Sequence, residues 1–158
     1  MIQRIQTIYL LLAAILTGLM TAFDLAIYSI EDVLVYTYSV YKIVPVNGGE
    51  VIIPGNWIVQ VSLIAAICLL TIFTLFQYKN RKMQLKMGKL NYLLMLTLII
   101  STYLSIKSTA LLLEDGEELK TLYYIGFYLP VAAITFLFLA NRGIKKDEEL
   151  VRSVERLR

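Results

Sequence analysis

The chain has 158 residues, of which 58% are hydrophobic and 17% charged, with a mean hydropathy of +0.69 and a formal net charge of +3. It contains no histidine and one cysteine, Cys68. That composition excludes an intramolecular disulfide, Ser-His and Cys-His catalytic pairs, His-ligated haem and the usual zinc sites.

Four apolar runs cover about residues 8–28, 57–78, 90–113 and 122–140. About 20 mostly apolar residues cross ~30 Å of hydrocarbon as a helix. Lipid offers no partner to a bare backbone, so each run is expected to be a transmembrane helix. The expected fold is an all-α integral membrane bundle, with a 1–143 membrane domain and a 144–158 tail. The first run follows Arg4 and is longer than the ~7–15 residues of a signal-peptide core, so it reads as an uncleaved span.

In the first run Ala14, Gly18, Ala22 and Ala26 recur every four residues. Such a small-residue stripe lets a second helix approach closely, from within the bundle or from another subunit. Residues 29–55 form the longest external segment. Tyr36-Thr37-Tyr38-Ser39-Val40-Tyr41-Lys42-Ile43 is β-branched and aromatic. Asn47-Gly48 is a hairpin turn signal, Val51-Ile52-Ile53 a return strand and Pro54 its end. A β-hairpin over about residues 35–53 is expected, lying over the outer mouth of the bundle. Its tyrosines suit an interfacial layer or a docking surface.

Trp57 opens the second run and Tyr78 closes it. The short segment 79–89 carries five basic residues and reads as a loop that sets topology. In the third run Thr97, Ser101, Ser105 and Thr109 share a helix face, as glue between helices or as a polar path. The turn Glu114-Asp115-Gly116-Glu117-Glu118 is acidic but lacks EF-hand spacing. Pro130 lies within the fourth run, where a kink is expected with Gly126 four residues back. The tail turns amphipathic: Ile144, Leu150, Val151, Val154 and Leu157 fall near one stripe, with Asp147 as a candidate N-cap. Leu150, Val151, Arg152, Val154, Arg156 and Leu157 form the expected contact face, either for the inner headgroup layer or for a cytoplasmic protein.

The charges are one-sided. With four spans, one side holds Arg4, Lys79, Arg81, Lys82, Lys86, Lys89, Arg142, Lys145, Lys146, Arg152, Arg156 and Arg158; the other holds only Lys42, Lys107 and Lys120. The positive-inside rule then places both termini in the cytoplasm. The implied partner of this basic side is the lipid bilayer and not nucleic acid.

Asp24 and Lys107 are the ionisable residues placed within apolar runs. Counted along parallel first and third helices, both fall at similar depth in the outer third of the membrane. An unpaired charge there is costly, so an Asp24–Lys107 ion pair is expected, structural or ion-coupled with Gln60 nearby, unless the two side chains snorkel outward to the interface.

The segment Met1-Ile2-Gln3-Arg4-Ile5-Gln6-Thr7 runs into Tyr9-Leu10-Leu11-Leu12-Ala13. The tail reads Ala140-Asn141-Arg142-Gly143-Ile144-Lys145-Lys146-Asp147-Glu148-Glu149-Leu150-Val151-Arg152-Ser153 and ends Arg156-Leu157-Arg158. With four runs and a long first external loop, the chain resembles the small four-span family of Bacteroidota known as domain of unknown function 4293. The resemblance implies a multi-pass protein of a Gram-negative inner membrane, with the hairpin in the periplasm. It implies no catalytic residue. No cofactor or metal is expected, and the chain is read as a non-enzyme. The leading expectation is an accessory or scaffold subunit of a membrane assembly, with a membrane or cytoplasmic protein partner or self-association. The alternative is a small oligomeric transporter or ion-coupled carrier using Asp24 and Lys107.

Overall fold

The computed structural model describes residues 2–31, 33–77, 80–113 and 119–156. Four helices are present: α1 (Ile2–Leu19), α2 (Trp57–Phe76), α3 (Arg81–Leu113) and α4 (Ile125–Arg156). Four strands accompany them: β1 (Ala26–Ile30), β2 (Val33–Tyr38), β3 (Ile43–Pro45) and β4 (Lys120–Tyr123).

Each helix buries one stripe at alternating steps of three and four. The buried positions are Gln6, Leu10, Ala13 and Thr17 in α1, and Gln60, Ile64, Ile67, Thr71 and Thr74 in α2. In α3 they include Gln84, Gly88, Asn91, Met95, Leu98, Thr102, Ser105 and Thr109. In α4 the stripe runs Gly126, Pro130, Ala133, Leu137, Ala140, Ile144, Asp147. This is the 3.5-residue period of helices that wind slowly around one another. Each helix packs on its sequence neighbours, and α1 closes the ring against α4. Cross-contacts give the directions. Gln6 meets Asp147 while Gly126 N–H reaches Asp24 O, so α1 and α4 are antiparallel. The bundle is therefore up-down-up-down.

Its interior is mixed in polarity. The buried stripes combine Gln, Asn, Thr and Ser with Leu, Ile, Met and Ala, whereas many large apolar side chains such as Leu69, Phe76, Leu93, Leu104 and Phe138 point outward. In water that arrangement would expose a very large apolar surface. Among the described residues, three helices are long and apolar enough to cross a membrane: Trp57–Phe76, Arg81–Leu113 and Ile125–Val151. The apolar part of α1, Ile5–Leu19, is shorter.

The first run is thus not one helix to residue 28. Helix α1 tightens at its end through Thr21 N–H to Gly18 O and Ala22 N–H to Leu19 O, and the Thr21 hydroxyl donates to Gly18 O. Ala26–Ile30 then leaves as β1. The reason is a better set of partners: β1 lies at the centre of an antiparallel sheet ordered β3-β2-β1-β4, pairing Ala26 with both Tyr38 and Tyr123. Residue 122, expected at the start of the fourth span, is likewise in β4, opposite Ile27.

The expected single hairpin is also corrected. Tyr36 to Ile43 is not one strand, because the chain turns between Ser39 and Lys42 and Ile43 pairs back on Tyr38. Asn47-Gly48 does turn, with Gly48 at φ +75, and closes Ile43 on Ile52 through two backbone bonds. That return makes only one bridge. Two further elements differ. Helix α3 begins at Arg81, capped by the Asn80 side chain on Met83 N–H, so most of the expected basic loop is helix. The tail is not a separate helix with Asp147 as its N-cap. Helix α4 is continuous from Ile125 through Pro130 to Arg156, and Asp147 lies buried within it.

Candidate functional site

Buried polar groups gather at the two ends of the bundle. At the sheet end, Tyr28 and Tyr38 point from β1 and β2 onto α3, both fully buried, with rings edge-to-face at 6.4 Å. The Tyr28 hydroxyl donates to Ile106 O at 2.8 Å. The Ser105 hydroxyl donates to Asn56 Oδ1 at 2.8 Å and so accepts from the Tyr38 hydroxyl. Asn56 holds the N-cap position of α2 but makes no side-chain cap bond, having turned its carbonyl to Ser105. Burial pushes the Tyr38 phenol up, partly offset by its Ser105 bond, so it stays a neutral donor.

Gln60 sits one helical turn further in, 0% exposed, and neither atom of its amide has a partner of normal geometry. It lies close enough to the Tyr38 hydroxyl to act, after Ser105, against the upward push of burial on that phenol. The Thr102 hydroxyl is buried and unpartnered as well. Asn56 and Ser105 also line an open groove of about 480 Å³ on the flank of α3, with Thr97, Ile100, Ser101, Leu104 and Ser108.

At the opposite, basic end the groups pair across helices. Gln6 Nε2 donates to Asp147 Oδ2 at 2.7 Å, and Arg81 donates to Asp147 O at 3.0 Å. Gln84 Nε2 donates to Thr74 O near the end of α2, where helix carbonyls lack partners. Asn91 Nδ2 reaches Thr71 Oγ1 at 2.6 Å, and Asn141 Nδ2 reaches Gly88 O at 3.1 Å. A cavity of about 20 Å³, bounded by Gln6, Arg81, Gln84 and Asp147 among others, has room for about one water. Close approach is built in: a Cβ at Gly88 would lie 1.9 Å from Asn141 Oδ1, and one at Gly143 would lie 2.9 Å from Gln6 Cγ.

The residues singled out by sequence fall differently. Asp24 and Lys107 form no ion pair. The Asp24 carboxylate accepts from the Ser39 hydroxyl at 3.0 Å, and Lys107 is exposed with Nζ 5.9 Å from the Tyr103 ring centroid. The depth argument assumed a helix through Asp24, which instead lies in the turn after α1. The small-residue stripe breaks for the same reason. Ala14 and Gly18 are on α1, where Ala14 O lies 3.8 Å from the Cys68 thiol of α2, but Ala22 is in the turn and Ala26 in β1. A Cβ at Gly18 would meet nothing within 4 Å, so no helix approaches closely there. Of the third-helix hydroxyls, Thr97 bonds back to Leu93 O and is exposed, whereas Ser105 and Thr109 are buried. In the tail, Leu150 and Val151 are exposed, and Lys145 and Glu149 form an exposed pair at 3.8 Å. The side chains of Arg152, Val154 and Arg156, together with Leu157, Tyr78 and residues 114–118, lie outside the described residues.

The buried amides Gln6, Gln84 and Asn91 went unread in the sequence, and Gln60 was read only as a neighbour of the Asp24–Lys107 pair. Their signal was present: in α2 and α3 polar residues recur at three-four steps inside apolar runs, which marks an inward face in lipid. Helix α4 and the termini bear on kinship too. The amino- and carboxy-terminal segments, 141 positions apart at Gln6 and Asp147, meet at one bundle end. A family described as a domain of unknown function, DUF4293, matches residues 2–157. The chain belongs to the DUF4293 family. No curated protein matches it. In this DUF4293 chain, the two terminal segments that carry the resemblance supply opposite sides of the Gln6–Asp147 lock.

Proposed function

We propose that this DUF4293 chain is a non-enzymatic accessory or scaffold subunit of an assembly in the bacterial inner membrane. In this reading it has four spans and both termini in the cytoplasm. Helix α1 is about 27 Å long and lies along α4 from Asp147 to Gly126, which supports counting it as a fourth span. The orientation is supported by exposed Lys82, Lys86, Lys89, Arg142, Lys145 and Lys146, all at the end away from the sheet.

One observation carries the scaffold reading. Helix α4 runs for 32 residues, about 48 Å, well beyond what a bilayer core needs. Its projecting part is fixed by the Gln6 and Arg81 bonds to Asp147 and presents Leu150 and Val151 at 50% and 41% exposure. A helix held in place that presents exposed apolar side chains in its projecting part suits a partner helix or groove. The carrier alternative has lost its charge pair, since Asp24 and Lys107 do not meet.

The test is affinity purification of the tagged chain from its native membrane in mild detergent, beside a Leu150→Glu/Val151→Glu variant. Truncation after Arg142 is less clean because it also removes Asp147. A stoichiometric partner recovered at least ~10-fold less with the variant, ~1.4 kcal/mol of lost affinity, is the expected result. A chain that purifies alone, or only with itself, in both forms would overturn the reading.

A further inference from the structure

Residues 51–78 carry no charged side chain, although α2 begins only at Trp57. The uncharged stretch therefore starts ahead of the helix, at Val51-Ile52-Ile53. A return strand would be expected to pair along its length. Here only Ile52 does, through two backbone bonds to Ile43. Val51 and Ile53 flank it and, as residues i and i+2 of extended chain, project to the same side. They are 54% and 64% exposed.

The reach of this segment is short. The Trp57 N–H donates to Pro54 O, so the chain just after Ile53 is tied to the first turn of α2, and Pro54 itself is buried. On the helix the next exposed large apolar side chains are Ile58 and Val59, in its first turn. An uncharged segment tied to a span's first turn, a few residues ahead of that span's exposed apolar side chains, has the leaflet surface as its nearest apolar partner. The Ile52–Ile43 bonds satisfy backbone groups that a poorly hydrated layer would otherwise leave unpaired.

We infer that Val51 and Ile53 form a wedge in the interfacial layer of the leaflet on the sheet side, seating the sheet on the bilayer. The occupant of this surface is lipid. The inference rests on α2 being a span, and the experiment separates the two. Ile53→Cys, Leu69→Cys and Asn47→Cys are each made in a Cys68→Ala background, labelled with an environment-sensitive fluorophore and placed in lipid nanodiscs, which leave both faces open. Quenching is compared for lipids nitroxide-labelled near the headgroup, lipids labelled at mid-chain, and aqueous iodide. Val51→Cys repeats the test if Ile53→Cys does not fold.

The wedge predicts loss of residue 53 fluorescence with the headgroup-region probe and protection from iodide. The mid-chain probe quenches residue 69, and iodide quenches the exposed turn at residue 47. Residue 53 quenched by iodide alone, with residue 69 still quenched at mid-chain, would overturn the wedge and leave the span. Residue 53 shielded from every quencher means that protein covers it, which also overturns the inference. Residue 69 out of reach of both lipid probes would overturn the span itself.

Discussion

The two ends of the bundle solve the burial of polar groups in different ways. At the basic end, side chains on neighbouring helices bond to each other, as Gln6 does to Asp147 and Asn91 to Thr71, and glycines let the helices close up. At the sheet end, strand tyrosines reach down to helix groups, and Gln60 and Thr102 are left unpartnered, whereas Asn91 and Asn141 at the basic end each keep a bond through Nδ2 and leave only Oδ1 unpaired. A lock between helices needs only helix geometry. A lid built from strands must match two unlike surfaces, and its fit leaves donors and acceptors over. The first end is thus suited to holding a projecting helix rigid, while the second keeps polar capacity beside an open groove.

The contrast can be broken most forcefully at Gly126. A Cβ there would lie 2.5 Å from Asp24 O and 2.9 Å from Phe23 O, both backbone atoms that cannot swing aside. Gly126→Ala should cost about 1–3 kcal/mol or more through overpacking, read as a lower melting temperature in detergent. Tolerance of this change would mean that the α1–α4 junction at the sheet end is looser than described.

The basic-end lock gives the next effect. Asp147→Leu should destabilise by about 1–3 kcal/mol by leaving the buried Gln6 amide without its acceptor, whereas Asp147→Asn keeps an acceptor oxygen and should cost less. A double-mutant cycle with Gln6→Leu should show coupling between the two sites. Equal, additive losses would separate them. The smallest change is expected for Gln60→Leu, because its amide has no bond to lose. Stability should hold or rise, and a loss above ~1 kcal/mol would show that the amide is in fact bonded.

Much of this arrangement was legible in the residues. The lengths of the apolar runs announced long membrane-compatible helices, and Asn47-Gly48 announced its turn. The positions of Tyr28 and Asp24 were misread because apolar content does not distinguish the end of a span from a buried strand. Residues 26–28 have strand partners 93 or more positions away in β4, and no local pattern encodes that pairing. Asp147 was taken for a helix start because Asp is favoured at caps. Its real environment depends on Gln6 arriving from the far end of the chain. The acidic turn at residues 114–118 lies outside the described residues.

By itself the sequence determined what each segment must avoid. Apolar runs must leave water, basic residues gather mostly at one end, and backbone groups in lipid must bond internally, all from residue chemistry summed over a window. The tertiary structure decided which groups meet. It ended α1 at Leu19, drew β1 and β4 into one sheet, and joined Gln6 to Asp147. Those outcomes turn on the relative stability of competing long-range partners, which depends on geometry that no single segment contains.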